Sequence, residues 1–267
     1  MISTMLWENR KVLEMNSAAV TDRGQRRHLN EDAVFEQSEP RAGLYLVCDG
    51  LGGHQAGEVA SQLAIKTVTA ELDPLFTKLT SGESYFNNLK EDIETAVIKT
   101  NVIVRHYAET HPYHAGDLST TLTLALIYDD LLYVANVGDS RAYIWREGEV
   151  TQLTQDHSLA ARLASVGMID KGQVDNHPYR NMLYRAIGMD DEVTVDIFKW
   201  KLEIGDRLLL CSDGLWQAFP DLYDLAWWIS QTATPRILCR RLIEEANRRD
   251  GSDNISTVVV NINARKV

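Results

Sequence analysis

The sequence is poor in cysteine and proline, and both shortages narrow the class of protein. Among 267 residues there are six prolines and three cysteines, Cys48, Cys211 and Cys239, none of which forms a Cys-x-x-Cys pair. Three thiols cannot build a disulfide framework, so we expect buried free thiols, a reducing compartment and a cytoplasmic location. Neither an internal repeat nor a low-complexity tract interrupts the chain.

Long apolar runs and an excess of basic residues are also missing. No apolar run approaches the 18 or so residues of a membrane-spanning helix. The first residues include Glu8 and Glu14 and lack the apolar stretch of a secretory signal. With 38 acidic and 27 basic residues the formal net charge is −11. This balance argues against binding to nucleic acid or to an anionic membrane surface, and it is compatible with a carboxylate-rich cation site.

The remaining composition is that of an ordinary globular protein, with 45% apolar residues and enough chain for a sizeable core. Strand-like segments are followed by two helical patterns, Gln55–Leu72 and Tyr85–Glu109, and then by more strands, among them Thr120–Tyr128. Two helices follow, one over Asp221–Ser230 and one from Pro235, which suits the first turn behind Thr234, and a last strand closes the pattern. This order does not alternate as βαβ units do. It predicts an α+β fold with antiparallel sheets and helices on their outer faces.

We expect one domain over residues 17–265, preceded by a loosely held terminal extension over residues 1–16. Residues 156–185 break the strand pattern with short helical stretches, Gly167, Gly172 and the polar segment Asp175–Pro178. Such a segment is typical of a mobile insertion over a rigid scaffold.

Five aspartates share a local context that predicts chemistry. Each lies at the tip of a predicted strand, most beside a glycine or another turn residue: Asp32, Asp49, Asp139, Asp213 and Asp253. Carboxylates collected in this way repel one another and call for a cation. Oxygen ligands without cysteine or a close histidine pair favour Mg²⁺ or Mn²⁺ over Zn²⁺, and two such ions would hold a phosphate and activate a water. The alternative is that Asp-Gly pairs only make tight turns.

Several motifs resemble those of the metal-dependent serine/threonine protein phosphatases of the type 2C class, in its bacterial form. They occur in that family's order and spacing from Thr21 to Asn263, and they are Arg27 to Asp32 (RHLNED), Asp49 to His54 (DGLGGH), Gly57 to Ser61 (GEVAS), Val137 to Tyr143 (VGDSRAY), Leu210 to Leu215 (LCSDGL) and Asp253-Asn254. One departure is Leu118-Ser119-Thr120-Thr121, where many relatives carry Met-Gly-Thr-Thr.

The resemblance implies a sandwich of two antiparallel β-sheets flanked by pairs of helices, with metal ions in a channel at one edge and residues 156–185 as a flap beside it. By matching position, Asp49 would bridge two Mg²⁺ or Mn²⁺ ions, and the carbonyl of Gly50 would bind one of them. Asp213 and Asp253 would hold the other ion. Asp139 would contribute to a third, weaker site that shares Asp213.

The same matching assigns three further roles. Asp32 would act mainly through metal-bound water, and Arg27 would clamp the substrate phosphate with a bidentate contact. The neighbouring Arg26 is the alternative, and the spacing to the Asn-Glu-Asp motif selects Arg27. His54 would either donate a proton to the leaving alkoxide or be a structural residue at a helix start, and both interpretations stay open.

Other conspicuous side chains are expected to lie outside the chemistry. Cys48 and Cys211 stand next to proposed ligands but are expected to point into the core. Neither lies in a phosphate-binding loop, which disfavours a thiolate phosphatase. His28 and His157 are expected to be bystanders.

The function implied is hydrolysis of phosphoserine and phosphothreonine in proteins by direct attack of a metal-bridging water, without a covalent phosphoenzyme. Its partners would be phosphorylated proteins, the targets of a serine/threonine kinase encoded elsewhere, met by a monomeric catalytic domain. The alternative is a pseudophosphatase, a regulatory module that binds phosphoproteins without turnover. The presence of Asp49, Asp213 and Asp253 favours the enzyme.

Overall fold

The computed structural model describes residues 13–52, 56–81, 85, 88–111, 118–174 and 176–264. Within them the strands, in chain order, are β1 (Leu13–Asp22), β2 (Asp32–Ser38), β3 (Ala42–Leu51), β4 (Ser119–Thr120), β5 (Leu122–Tyr128), β6 (Leu131–Val137), β7 (Arg141–Arg146), β8 (Glu149–Gln152), β9 (Asp196–Lys201), β10 (Arg207–Cys211) and β11 (Ile255–Ala264). The helices are α1 (Ala56–Thr80), α2 (Leu89–Thr110), α3 (Leu159–Ser165), α4 (Asp213–Trp216), α5 (Leu222–Ser230) and α6 (Pro235–Arg249).

In the described part of the chain these strands form two antiparallel sheets, which confirms the predicted fold class. The first sheet has the order β1-β11-β10-β7-β8, and the second has the order β2-β3-β5-β6-β9 with β4 paired to β3. Helices α1 and α2 cover the outer face of the second sheet, while α4, α5 and α6 cover that of the first. The arrangement is the sandwich with flanking helices that the resemblance implied.

Apolar side chains between the sheets hold the sandwich together. This layer includes Tyr45 and Val47 of β3, Ile144 of β7, Leu208 of β10 and Val258 of β11, all at most 2% exposed. Strands that are buried on both faces need continuous apolar runs instead of alternation. That requirement explains why β3 and β5 are buried along nearly their whole length.

Sequence and structure differ at several boundaries. Strand β1 begins at Leu13 and pairs with β11 from its first residue, so residues 13–16 are part of the sheet and not of a terminal extension. The single strand expected from Thr120 to Tyr128 is divided at Thr121, whose N–H donates to the carbonyl of Asp49 instead of a regular sheet partner. Helix α4 and strand β8 are additional elements that the periodicity did not predict.

Two expectations about side chains are confirmed and one falls outside the structure. Cys48 and Cys211 are fully buried in the apolar layers under the helices, as expected. His54 lies outside the described residues. None of the helices that the structure describes is both long and apolar enough to cross a membrane.

Candidate active site

Two aspartates of the second sheet are brought together by strand register. Asp32 begins β2 and is the direct cross-strand partner of Asp49 near the end of β3. Facing positions of this kind place Cβ atoms about 5 Å apart. Asp32 is 6% exposed, and its Oδ2 accepts a 2.7 Å hydrogen bond from Ser212 of the first sheet's loop. The two sheets are therefore joined at this edge through a carboxylate.

Register also gathers three aspartates of the first sheet. Cys211, the last residue of β10, is paired on one side with Arg141 and on the other with Thr257. Asp213 follows Cys211 by two residues, Asp139 precedes Arg141 by two, and Asp253 lies just before β11. All three therefore lie at the same end of the sheet, and the sequence-predicted aspartates are brought to one edge of the sandwich.

The electrostatics of this edge are those of crowded like charges. Burial and the charges of the surrounding aspartates raise the pKa of Asp49 and that of Asp213 well above the usual range. Burial, with the Asp156 charge next, raises the pKa of Asp139 to about 7. Burial raises the pKa of Asp32 to about 6 although Ser256 and Ser212 oppose the shift through hydrogen bonds. The cluster therefore needs either protons or a cation.

The donor set fits a hard divalent cation. Every candidate ligand is an oxygen, and Asp32 Oδ1 is buried without a hydrogen-bond partner. Across the described residues, no three Asp, Glu, His or Cys side chains already surround one point as a closed cage. Mg²⁺ does not require such a cage, because it keeps several waters and binds through one or two carboxylates.

The backbone beside Asp49 is fixed by two threonines. Thr121 Oγ1 accepts from the N–H of Asp49 at 2.9 Å and bonds Ser140 Oγ at 2.8 Å, while Thr120 Oγ1 donates to the Asp49 carbonyl at 2.9 Å. Gly50 follows in a narrow space, where a Cβ would lie 2.1 Å from the carbonyl oxygen of Gly57. A side chain at position 50 would push α1 away from the site.

Asn254 organises the loop that carries Arg27. Its Oδ1 accepts from the N–H of Glu31 at 2.8 Å, and its Nδ2 donates to the carbonyls of Arg23 at 2.8 Å and Leu29 at 2.9 Å. Asn254 is 3% exposed, so these contacts are shielded from water. The residue next to Asp253 thus determines the path of the chain from residue 23 to residue 31.

Arg27 lies at the rim with its guanidinium directed at a proposed metal ligand. Its Nη2 donates to Asp253 Oδ2 at 2.8 Å, and Nη1 approaches Glu31 Oε2 at 3.4 Å. Burial lowers the pKa of Arg27, but the Asp253 carboxylate more than offsets this and the net shift is upward. The side chain is 46% exposed and so is accessible to an anion from solvent.

The site continues toward the flap. Gln217 Nε2 donates to Asp213 Oδ2 at 2.8 Å and lies 3.5 Å from Oδ1 of Asn181 in the flap. Beside it an open cleft of about 1410 Å³ runs between the flap and helices α4 and α5. Its flap side carries the cations Arg162, Lys171 and Arg180.

Four residues of the site were assigned no role from the sequence, although Thr121, Ser212 and Asn254 stand within the motifs quoted above. Thr121, Ser212 and Trp216 each donate to or position an aspartate of the cluster, and Asn254 orders the Arg27 loop. Their partners are distant in the chain, so no local spacing identifies them. The motifs that contain Thr121, Ser212 and Asn254 were the available signals, whereas Trp216 stands in none of them.

The fold and this edge define a class of protein: a β-sandwich with a buried cluster of aspartates that fits divalent cations and a half-exposed arginine at its rim. The chain matches the model of the family described as protein phosphatase 2C over residues 21–238, and it belongs to that family. Members of this family are metal-dependent.

Bacterial serine/threonine phosphatases are among the similar proteins. The serine/threonine phosphatase stp of Listeria innocua is 36% identical over 255 residues, which cover 93% of this chain and 96% of that protein. The crystal structure of the Mycobacterium tuberculosis serine/threonine phosphatase PstP/Ppp has a TM-score of 0.81 at 35% identity and covers 94% of this chain and 99% of that one. A structure of the PstP catalytic domain in complex with two manganese ions has a TM-score of 0.79 at 33% identity, with the same shares covered.

Proposed function

We propose that this chain removes phosphate from phosphoserine and phosphothreonine side chains of proteins. The observation that carries the proposal is the convergence of Asp32, Asp49, Asp139, Asp213 and Asp253 at one edge of the sandwich, with Arg27 at the rim. Membership of the protein phosphatase 2C family and the similarity to bacterial serine/threonine phosphatases support it.

The aspartates divide into two groups for metal binding. Asp49 and the Gly50 carbonyl would hold two Mg²⁺ or Mn²⁺ ions, with Asp213 and Asp253 as further ligands. When bound, such a pair of ions polarises the phosphoryl group and supplies a water of lowered pKa as nucleophile. Asp139, together with Asp213, would hold a third, weaker ion.

Arg27 binds and orients the substrate in this scheme. A guanidinium presents paired N–H donors that match two oxygens of a phosphate monoester, and it remains charged throughout the working pH range. Its present partner, Asp253, is a proposed metal ligand. If Asp253 held a cation, its ion pair with Arg27 would be weaker and the guanidinium would be available to a phosphate.

The Asp32 carboxylate is a potential proton acceptor buried deep in the site. Ser212 fixes its Oδ2, so the unpartnered Oδ1 is directed to a ligand or water that the carboxylate orients. His54 keeps its two interpretations, a general acid for the leaving alkoxide or a structural residue.

The cleft between the flap and α4–α5 is the proposed contact region for the protein part of the substrate. Phosphorylated targets of a serine/threonine kinase are the partners, and the chain acts as a monomer in the cytoplasm. The open cleft borders the site through Gln217, so a bound peptide would pass close to Asp213.

A pseudophosphatase is the competing function, and turnover separates the two. Purified protein is assayed for phosphate release from phosphoserine, phosphothreonine and phosphotyrosine peptides with Mn²⁺, with Mg²⁺ and with EDTA. We expect turnover of the first two peptides that depends on metal and is abolished by EDTA. Binding of phosphopeptides without release of phosphate in any metal would support the pseudophosphatase instead.

A further inference from the structure

The turn that carries Asp139 has its backbone fixed by side chains from three directions. Trp216 Nε1 donates to the Asp139 carbonyl at 3.0 Å, and Thr123 Oγ1 donates to the Ser140 carbonyl at 3.0 Å. Gly138 has φ +110°, and a Cβ there would lie 2.6 Å from the Thr121 side chain. The turn is therefore tightly confined before any ion binds.

The third direction is His157, a residue expected from the sequence to be a bystander. The ring Nδ1 of His157 accepts a hydrogen bond from the backbone N–H of Gly138 at 3.0 Å. The backbone N–H of His157 donates to the Gly138 carbonyl at 2.9 Å. The residue is 1% exposed. An Nδ1 that accepts a hydrogen bond carries no proton, so the proton of the neutral ring is on Nε2.

The Nε2 side of the ring is held by a charged pair. Nε2 lies 3.2 Å from Asp196 Oδ2 and donates to it, and Arg185 Nη1 donates to the other oxygen, Oδ1, at 2.8 Å. Arg185 Nη1 is also 3.0 Å from Nε2, and this positive charge opposes protonation of the ring. Burial, which is the largest cause, lowers the pKa of His157 below its ordinary value.

These contacts fall where the flap leaves and rejoins the sandwich. The backbone N–H of Leu159 donates to the Met182 carbonyl at 2.7 Å, and that of Tyr184 donates to the His157 carbonyl at 3.0 Å. The two ends of the flap therefore pair as a short antiparallel ladder. His157 is at its start and Arg185 at its end, while Asp196 begins β9 of the sandwich. We call His157, Arg185 and Asp196 the flap clasp.

We propose that His157 is a positioning residue for Asp139. Through the Gly138 N–H it holds the turn so that the Asp139 carboxylate faces the proposed third ion, and through Asp196 and Arg185 it joins that turn to both ends of the flap. A change in the flap ends is therefore transmitted to a metal ligand without any contact between the flap and the ion. The inference rests on the proposed metal-binding role of Asp139.

The arrangement parallels a general feature of metal sites, in which groups that do not touch the ion orient the groups that do. Loss of such a partner typically lowers metal affinity by about 10- to 100-fold. The clasp differs from a merely structural network in one respect. Its inner end is a single backbone N–H one residue from a proposed ligand, so its removal should affect the weakest ion first.

The test compares His157→Leu, which removes the acceptor for Gly138, with His157→Asn, whose Oδ1 can take the place of Nδ1 as the acceptor but cannot reach Asp196. Leu202→Ala is the control, because it removes buried apolar contacts just beyond the end of β9, away from Asp196, and leaves the clasp intact. Three quantities are measured for each protein: the Mn²⁺ concentration that gives half-maximal hydrolysis of p-nitrophenyl phosphate, the thermal midpoint, and hydrogen exchange of the Gly138 amide in metal-free protein.

We expect His157→Leu to raise the half-maximal Mn²⁺ concentration about tenfold or more and to accelerate Gly138 exchange. His157→Asn should recover part of both effects. Leu202→Ala should lower the thermal midpoint and leave both unchanged.

A folded His157→Leu protein with wild-type Mn²⁺ dependence and wild-type Gly138 exchange would overturn the proposal. An equal shift in Leu202→Ala would also overturn it, since general destabilisation would then be the cause. Wild-type protein that binds phosphopeptides but releases no phosphate with any metal would refute the proposed function itself. The exchange measurement tells these failures apart because it needs no metal and no turnover.

Discussion

Arg27 and Asp253, 226 residues apart in the chain, are joined by a 2.8 Å ion pair between the rim of the site and a proposed metal ligand. The contact places the proposed phosphate clamp and the proposed metal centre within reach of the same small anion. It also explains how an arginine can be accessible and yet oriented, because one carboxylate fixes its direction while nearly half of its side chain faces solvent.

The first prediction follows from this pair. Arg27→Ala should raise KM for a phosphothreonine peptide roughly 10- to 100-fold, the range of a lost hydrogen bond to a charged group. Arg27→Lys should recover only part, because an ammonium cannot make the paired contact. Steady-state kinetics at saturating Mn²⁺ measure both, with the exposed neighbour Arg26→Ala as the matched control. If Arg26→Ala raised KM as much as Arg27→Ala does, the assignment of phosphate binding to Arg27 would be wrong.

The second prediction concerns metal-free protein and pH. Asp139 has a folded pKa of about 7 against an ordinary value of 3.8. Between these values the folded state binds more protons than the unfolded chain, so this group lowers the free energy of unfolding as pH rises. In EDTA, Asp139→Asn should therefore gain stability relative to wild type as pH rises from about 4 to about 7. The gain should be on the order of 3 kcal/mol, at about 1.4 kcal/mol per pKa unit.

Denaturant unfolding at a series of pH values measures this difference. Added Mn²⁺ should remove it by stabilising the wild-type protein more than the variant. A stability difference that is independent of pH in EDTA would mean that Asp139 titrates normally and that the crowding of carboxylates is relieved in solution.

The third prediction concerns the threonine behind Asp49. Thr121→Val keeps the shape of the side chain but removes the acceptor for the Asp49 N–H and the partner of Ser140. We expect a loss of about 1–3 kcal/mol in the free energy of unfolding together with weaker Mn²⁺ binding by calorimetry. Thr100→Val is the control, since its buried hydroxyl donates to the carbonyl of Ala96 in its own helix, away from the aspartate cluster. Equal Mn²⁺ affinity in the two variants would contradict the proposed support of Asp49.

The fourth prediction separates the flap cleft from the chemistry. Charge reversal of the flap cations by Arg162→Glu with Lys171→Glu should raise KM for a phosphoprotein and leave kcat/KM for p-nitrophenyl phosphate unchanged. Arg240→Glu, on the exposed face of α6 outside the cleft, is the control for net charge. Equal losses on both substrates would show that this side of the flap supports the site and does not contact the protein substrate.

The sequence was informative wherever one short segment carries both the structure and the chemistry. A short apolar run that stops at Asp-Gly is typical of a buried strand that leads into a loop, so Asp49 and its strand could be predicted. So were the helix starts at Asp221 and Thr234, whose side chains accept hydrogen bonds from the first turns. The class of fold followed from the order in which the two periodicities occur.

The features that the sequence did not predict depend on contacts between distant segments. The break at Thr121 exists because its N–H is drawn to the Asp49 carbonyl, and nothing in its own neighbourhood indicates that. Asn254 orders a loop more than 220 residues earlier in the chain. His157 has an unremarkable sequence context, and its importance becomes visible only once Gly138 and Asp196 are placed against it.

The most direct test of the central claim is the rate of phosphate release from a phosphothreonine peptide by Asp49→Asn beside wild type, at saturating Mn²⁺ and with both proteins shown to be folded. The substitution keeps the size of the side chain and removes the charge that would bridge two ions. We predict a loss of at least about a thousandfold in kcat, the order expected when a principal electrostatic contribution to the transition state is removed. An Asp49→Asn protein that releases phosphate at the wild-type rate would contradict the account.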